Sequence, residues 1–184
     1  MIIPYMPGVL TLPIETYWDG TPCHETPLHA TVALGLDTQG LCLTATMPLQ
    51  AAPRIPSEMP LTRVANLWEY DVVECFLAGP GRYLEVELGA GGHFLVLDFS
   101  APRVRQNDYA TFTPAMTFEP ALAGHTVWRA SIHLPWSMLP EPIQGVNAYV
   151  ISGGKHLCYQ PLPGPAPDFH QPARFPAVRL AERP

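Results

Sequence analysis

Lysine is almost missing from this chain of 184 residues: Lys155 is the one example. Lysine and arginine together number 10 against 16 acidic residues, for a net charge of −6. The arginines are scattered and form no basic patch. Phosphate backbones are bound by clustered cations, so nucleic acid is not an expected partner. No apolar run approaches the ~20 residues of a membrane-spanning helix. The apolar start, Met1 to Pro13, carries no basic residue and is broken by Pro4, Pro7 and Pro13, which makes a poor signal peptide. A cytoplasmic protein without a membrane partner is the expectation. Cys23, Cys42, Cys75 and Cys158 include no Cys-x-x-Cys pair and read as reduced, buried thiols. No His-Glu-x-x-His pattern points to zinc, and no Gly-x-Ser-x-Gly elbow points to a serine hydrolase. His29, His93 and His133 each stand singly in a strand pattern, without ligand spacing.

Helical periodicity is missing too. In its place stand 23 prolines and an apolar fraction of 47%, with only 14% charged residues. That composition excludes disorder for the chain as a whole and disfavours a helix bundle. Strict alternation marks strands at Leu28–Leu36 and Leu41–Met47, joined by Asp37-Thr38-Gln39-Gly40 as a hairpin. Three apolar runs, Asp71–Leu77, Arg82–Leu88 and His93–Phe99, are separated by Gly-rich turns and read as a meander. Gly89-Ala90-Gly91-Gly92 precedes no helix and is a turn, not a phosphate loop. Further strands are expected at Val9–Leu12, Thr111–Glu119, His125–Leu134, Val146–Gly153, His156–Gln160 and Phe175–Leu180. Pro48–Asn66 is a long connection, and Pro161–Pro176 is too rich in proline for regular sheet. The sum is one all-β domain over residues 1–184, an antiparallel β-sandwich. Trp128 and Trp136 are expected in its core.

One stretch breaks the pattern. Asn66-Leu67-Trp68-Glu69-Tyr70-Asp71-Val72-Val73-Glu74-Cys75-Phe76-Leu77 puts a carboxylate, Glu74, inside an apolar strand. A charge in an apolar setting costs several kcal/mol or forces protonation, so Glu74 requires a wet cleft or a dedicated partner.

That segment resembles the opening motif of the family 9 carbohydrate-binding modules and their DOMON-like relatives. Tyr83-Leu84-Glu85-Val86-Glu87 and Gly91-Gly92-His93-Phe94 are similar to the hairpin that follows it. Trp128-Arg129-Ala130-Ser131-Ile132-His133-Leu134-Pro135-Trp136 and Pro167-Asp168-Phe169-His170 are similar to later segments. The chain also resembles an uncharacterised family of small intracellular proteins that shares Tyr17-Trp18-Asp19-Gly20, Leu-Pro-Trp-Ser and Pro-Asp-Phe-His. The resemblance covers nearly the whole chain and implies a sandwich of family 9 module type. In the sugar binders two aromatics clamp a pyranose ring over a polar floor. The resemblance places Trp68 and Phe169 as the clamp and Glu74 as the carboxylate. It puts Glu85, Glu87 and Tyr149 where those modules carry Arg, Asn and Gln. The floor implied here is acidic, with His170 beside it.

The expected function is a module that binds a saccharide or related small polar ligand through Trp68, Glu74, Glu85, Glu87, Tyr149, Phe169 and His170. No cofactor is expected. Convergent carboxylates could hold Ca²⁺. A haem-binding branch of the fold offers Met59, Lys155, His156 and His170 as axial candidates, with no spacing that singles out a pair. The alternatives are an enzyme using the Glu/His cleft and an interaction domain with an incidental cleft. Against all of these, Glu85 and Glu87 could lie on a solvated strand face near Arg82 or Arg105.

Overall fold

A computed structural model describes residues 1–122 and 126–183. Its strands, in chain order, begin with β1 (Ile2–Ile3), β2 (Leu10–Ile14), β3 (Thr16–Tyr17), β4 (Ala30–Leu36) and β5 (Gly40–Pro48). The meander follows as β6 (Val72–Gly79), β7 (Arg82–Gly89), β8 (Phe94–Ala101) and β9 (Val104–Asn107). The chain closes with β10 (Met116–Glu119), β11 (Val127–Pro135), β12 (Gly145–Ser152), β13 (Lys155–Cys158) and β14 (Arg179–Leu180). Single 3₁₀ turns are the only helical elements among the described residues.

The strands make two layers. A five-stranded sheet runs β10-β11-β5-β4-β2, and a seven-stranded sheet runs β3-β13-β12-β6-β7-β8-β9. Pairing within both is antiparallel; β1 and β14 form a separate parallel pair. The core between the layers takes Leu12, Val32, Leu34, Leu43, Trp128, Ala130 and Ile132 from the smaller sheet. Val73, Cys75, Leu77, Leu84, Val86, Ala148 and Val150 come from the larger one. Alternation works as expected here, since each strand sends every second side chain inward.

The larger sheet is buried on its other face as well. Phe76, Tyr83, Leu95, Leu97, Phe99 and Tyr149 point outward and are covered by Phe169 and Phe175. Those two come from the proline-rich segment, which therefore works as a lid of irregular chain over the sheet. This second core explains why β6 to β8 read as near-continuous apolar runs.

Several expectations need correction. Trp136 is not in the core: it keeps 36% of its surface exposed, and its indole N–H donates to the Thr38 carbonyl at 3.2 Å. Glu85 and Glu87 do not lie on a solvated face, being 4% and 0% exposed beneath the second core. Thr111–Glu119 and Phe175–Leu180 shorten to β10 and β14, since their prolines withhold ladder donors. Of the strand expected at His125–Leu134, His125 lies outside the described residues, and the strand observed is β11, Val127–Pro135. The thiols of Cys23, Cys75 and Cys158 are buried and unpaired, and Cys42 is half-buried.

Candidate functional site

Register builds the floor of the site. On β6, β7, β8 and β12 the outward positions line up across the sheet. One row is Tyr149, Glu74, Glu87 and Leu95; the next is Asn147, Phe76, Glu85 and Leu97. Glu74 and Glu87 are thus direct cross-strand neighbours, and Glu85 is diagonal to Glu74. One carboxylate oxygen from each of Glu74, Glu85 and Glu87 lies within 4.8 Å of the others. All are buried, and Glu85 Oε2 and both Glu87 oxygens have no hydrogen-bond partner among the described residues.

Three buried carboxyls this close together disfavour carrying three charges. Burial, followed by the charge of Glu85, drives the Glu74 carboxyl well above its ordinary pKa. Burial drives Glu87 up as well, and the charges of Glu74 and Glu85 add to it. Glu85 is pushed up to about 7 by burial, with Arg105 and Arg103 pulling it back down. Near neutral pH, then, Glu85 sits at its titration point, and burial favours the protonated form of Glu74 and Glu87. Two such groups can partner one another only when one is protonated.

The walls come from elsewhere in the chain. Trp68 sits in a 3₁₀ turn, Leu67–Glu69, that follows Asn66 in left-handed conformation at φ 56°. Leu67 is fully buried and anchors the turn, leaving Trp68 half-exposed over the floor. The Arg105 guanidinium of β9 lies 5.7 Å from the Trp68 ring centroid. The opposite wall is the Pro167–His170 loop, which is tied down twice. Arg103 pairs with Asp168 at 2.8 Å. The Tyr83 hydroxyl lies 2.7 Å from His170 Nδ1 and accepts the Arg103 backbone N–H at 3.0 Å. In the tautomer where the Tyr83 hydroxyl donates to Nδ1, the His170 proton is on Nε2. His170 Nε2 faces Glu85 Oε2 at 4.0 Å. Burial, with help from Arg103, lowers the His170 pKa to about 4, so the ring is neutral at pH 7.

Together these groups enclose a cavity of about 330 Å³, within the range of small-ligand sites. Trp68, Glu74, Glu85, Phe169 and His170 all line it, with Phe99, Arg103, Arg105 and His156. A 420 Å³ hollow near Gly79 and Arg82 is larger, but its polar anchor, Arg82, is already bound to Asp98 at 2.9 Å. Two of the expected site residues stand behind the lining. Tyr149 stacks on Phe169 with centroids 3.8 Å apart and planes at 11°. Its hydroxyl accepts from Asn147 Nδ2 at 2.7 Å. Glu87 lies fully buried under the floor. One face of Phe169 is therefore occupied by Tyr149. Of the axial candidates, Met59 is on the surface and Lys155 pairs with Glu25, while His156 and His170 line the cleft.

Sequence reasoning did not find Arg103 or Phe99 as wall residues. Arg103 carries a positive φ of 60° in the β8–β9 turn, and no local pattern announces it. The spacing of Tyr83, Glu85 and Glu87 on one strand face was the available signal for Tyr83.

The structure is thus a two-layer antiparallel β-sandwich with an aromatic and acidic cleft on its outer face. No family model matches the chain. It is 32% identical over 169 residues to UPF0462 protein C4orf33 of Homo sapiens, covering 85% of this chain and 81% of that one. The Danio rerio homologue is 31% identical over 170 residues, covering 86% and 83%. The chain belongs to the UPF0462 family. Among solved structures, one from Bacteroides uniformis ATCC 8492, provisionally described as a carbohydrate-binding protein, superposes with a TM-score of 0.70 at 17% identity, over 95% of this chain and 87% of that one. A family 9 carbohydrate-binding module from Caldicellulosiruptor kristjanssonii, in complex with cellotriose, superposes with a TM-score of 0.61 at 15% identity, over 100% and 94%. At these identities the likeness establishes the fold.

Proposed function

We propose that the protein binds a small saccharide or similar polyol in the cleft, with the ring against Trp68 and Phe169 and the hydroxyls on Glu74 and Glu85. The observation that carries this reading is an aromatic cavity lined by the Glu74 and Glu85 carboxyls, with Glu85 Oε2 unpartnered. A neutral carboxylic acid both donates and accepts, as a hydroxyl does, and aromatic faces suit the C–H faces of a sugar ring. Arg103 and Arg105 at the rim add fixed donors. The carbohydrate-binding structures that share the fold support the same ligand class. The test is a thermal-shift screen of mono- and disaccharides, polyols and sugar phosphates, repeated with Trp68→Ala. Hits that lose at least about 10-fold in affinity in the variant, a loss of ~1.4 kcal/mol, support the reading. A screen whose hits are all indifferent to Trp68 refutes it.

A second reading, acid–base catalysis on such a ligand, has one observation in its favour. A neutral His170 faces Glu85, whose pKa is near 7, across 4.0 Å of the same cavity. Mass spectrometry of each hit after incubation separates the two: an unchanged ligand supports binding alone.

A further inference from the structure

The solvent face of the five-stranded sheet carries a second cluster, made by Asp37, Cys42 and His133. Cys42 of β5 and His133 of β11 are paired across the ladder, so their side chains stand side by side away from the core. On its other flank Cys42 faces Gly35, which has no side chain. Asp37 comes from the loop between β4 and β5, and that loop is rigidly held. Its Oδ1 accepts the backbone N–H groups of Gln39 at 2.7 Å and Gly40 at 2.8 Å. The Trp136 indole donates to Thr38, and the Trp136 backbone N–H donates to Gln39, each at 3.2 Å. A Cβ on Gly40 would sit 2.0 Å from the Leu134 carbonyl oxygen, so the loop reaches β11 only with glycine there.

His133 Nε2 is 3.1 Å from Asp37 Oδ2, and Cys42 Sγ is 3.9 Å from the same oxygen. One donor atom from each residue lies within 4.8 Å of the other two, and all three residues are half-buried. A nucleophilic relay would use one His nitrogen for the thiol and the other for the carboxylate. Here Nε2 faces both Asp37 oxygens, Oδ1 at 3.2 Å and Oδ2 at 3.1 Å, and Sγ faces Oδ2, so thiol and imidazole gather on the same carboxylate and form no relay. Bonds to tetrahedral Zn²⁺ of ~2.0–2.1 Å for nitrogen, ~2.0–2.2 Å for oxygen and ~2.3 Å for sulfur imply edges of about 3.3 Å for N···O and about 3.5 Å for S···O. The two spacings seen here fall within a few tenths of an ångström of those edges.

We propose that Asp37, Cys42 and His133 form a binding site for Zn²⁺, with the fourth position open to water or a ligand. A mixed nitrogen, oxygen and sulfur set suits zinc and disfavours Ca²⁺ or Mg²⁺, which take oxygen ligands. Burial and the Asp37 charge raise the pKa of the Cys42 thiol, and a bound dication reverses that balance in favour of the thiolate. The ligands lie on the other sheet from the saccharide cleft, and the inference does not depend on that reading.

The test is titration of chelator-stripped full-length protein with Co²⁺, followed by displacement with Zn²⁺. The expected result is uptake of one equivalent with a thiolate-to-cobalt charge-transfer band that Zn²⁺ removes. Cys42→Ser abolishes the band, and His133→Ala weakens Zn²⁺ binding by more than the ~10-fold typical of losing even an outer-shell partner. Asp37→Asn gives the same weakening and stands in for either variant if its circular dichroism shows misfolding. Failure of the wild type to take up one equivalent overturns the proposal, as does a band that survives in Cys42→Ser. Uptake without a thiolate band that disappears in Glu87→Gln puts the ion in the carboxylate cleft and also overturns it.

Discussion

Replacing Glu85 with glutamine perturbs the carboxyl row with little change of shape. Burial raises the Glu85 pKa from 4.5 to about 7 in the fold. The folded chain therefore holds this proton more tightly than the unfolded chain. The stability that results is complete below pH ~4.5 and is lost as the pH climbs to ~7. At ~1.4 kcal/mol per pH unit, that interval is worth about 3 kcal/mol. His170 acts in the opposite sense: with its pKa lowered from 6.5 to about 4, it adds stability as the pH rises toward 6.5. The two nearly cancel in the wild type, so the difference between wild type and Glu85→Gln is the informative quantity. The charge of Glu85 also raises the pKa of Glu74 and Glu87, and its removal relieves both at high pH. Urea denaturation of the two proteins at pH 5 and pH 8 supplies the numbers. From pH 5 to pH 8 the variant should gain about 2–3 kcal/mol relative to wild type. A difference that stays constant to within about 0.5 kcal/mol refutes the argument that Glu85 is held protonated by burial.

Trp128→Ala empties a site that is 1% exposed between the two sheets, and urea denaturation should show a loss of about 3–5 kcal/mol. Tyr83→Phe removes the hydroxyl that joins the Arg103 amide to His170 Nδ1, leaving two groups unpartnered at a loss of about 1–3 kcal/mol. Hydrogen exchange and limited proteolysis of the Pro167–His170 loop should quicken in that variant, and unchanged rates would mean that the loop is held by other contacts.

Much of the fold was legible because period-two alternation and turn chemistry are local signals. Leu84, Val86 and Leu88 face one way and Tyr83, Glu85 and Glu87 the other, whatever else the chain does. Trp128 declared its core position by sharing a face with Ala130 and Ile132. Trp136 misled because it follows the same run, yet the strand ends at Pro135 and the chain turns its indole toward Thr38. The solvated reading of Glu85 and Glu87 failed for a different reason. Alternation tells which residues share a face, but it does not tell whether a distant segment covers that face.

The amino-acid sequence by itself determined the strands, the turns and the anomaly of Glu74, since each rests on neighbours a few residues apart. Resemblance to family 9 modules then brought Glu74 together with Glu85 and Glu87. Only the tertiary structure decided what those carboxyls experience. The proline-rich lid removes water from them, Arg103 and Arg105 supply the opposing charge, and Tyr149 occupies one face of Phe169. It alone also set Cys42 against His133. Strand register decides that pairing, and register is the outcome of packing two whole sheets against one another.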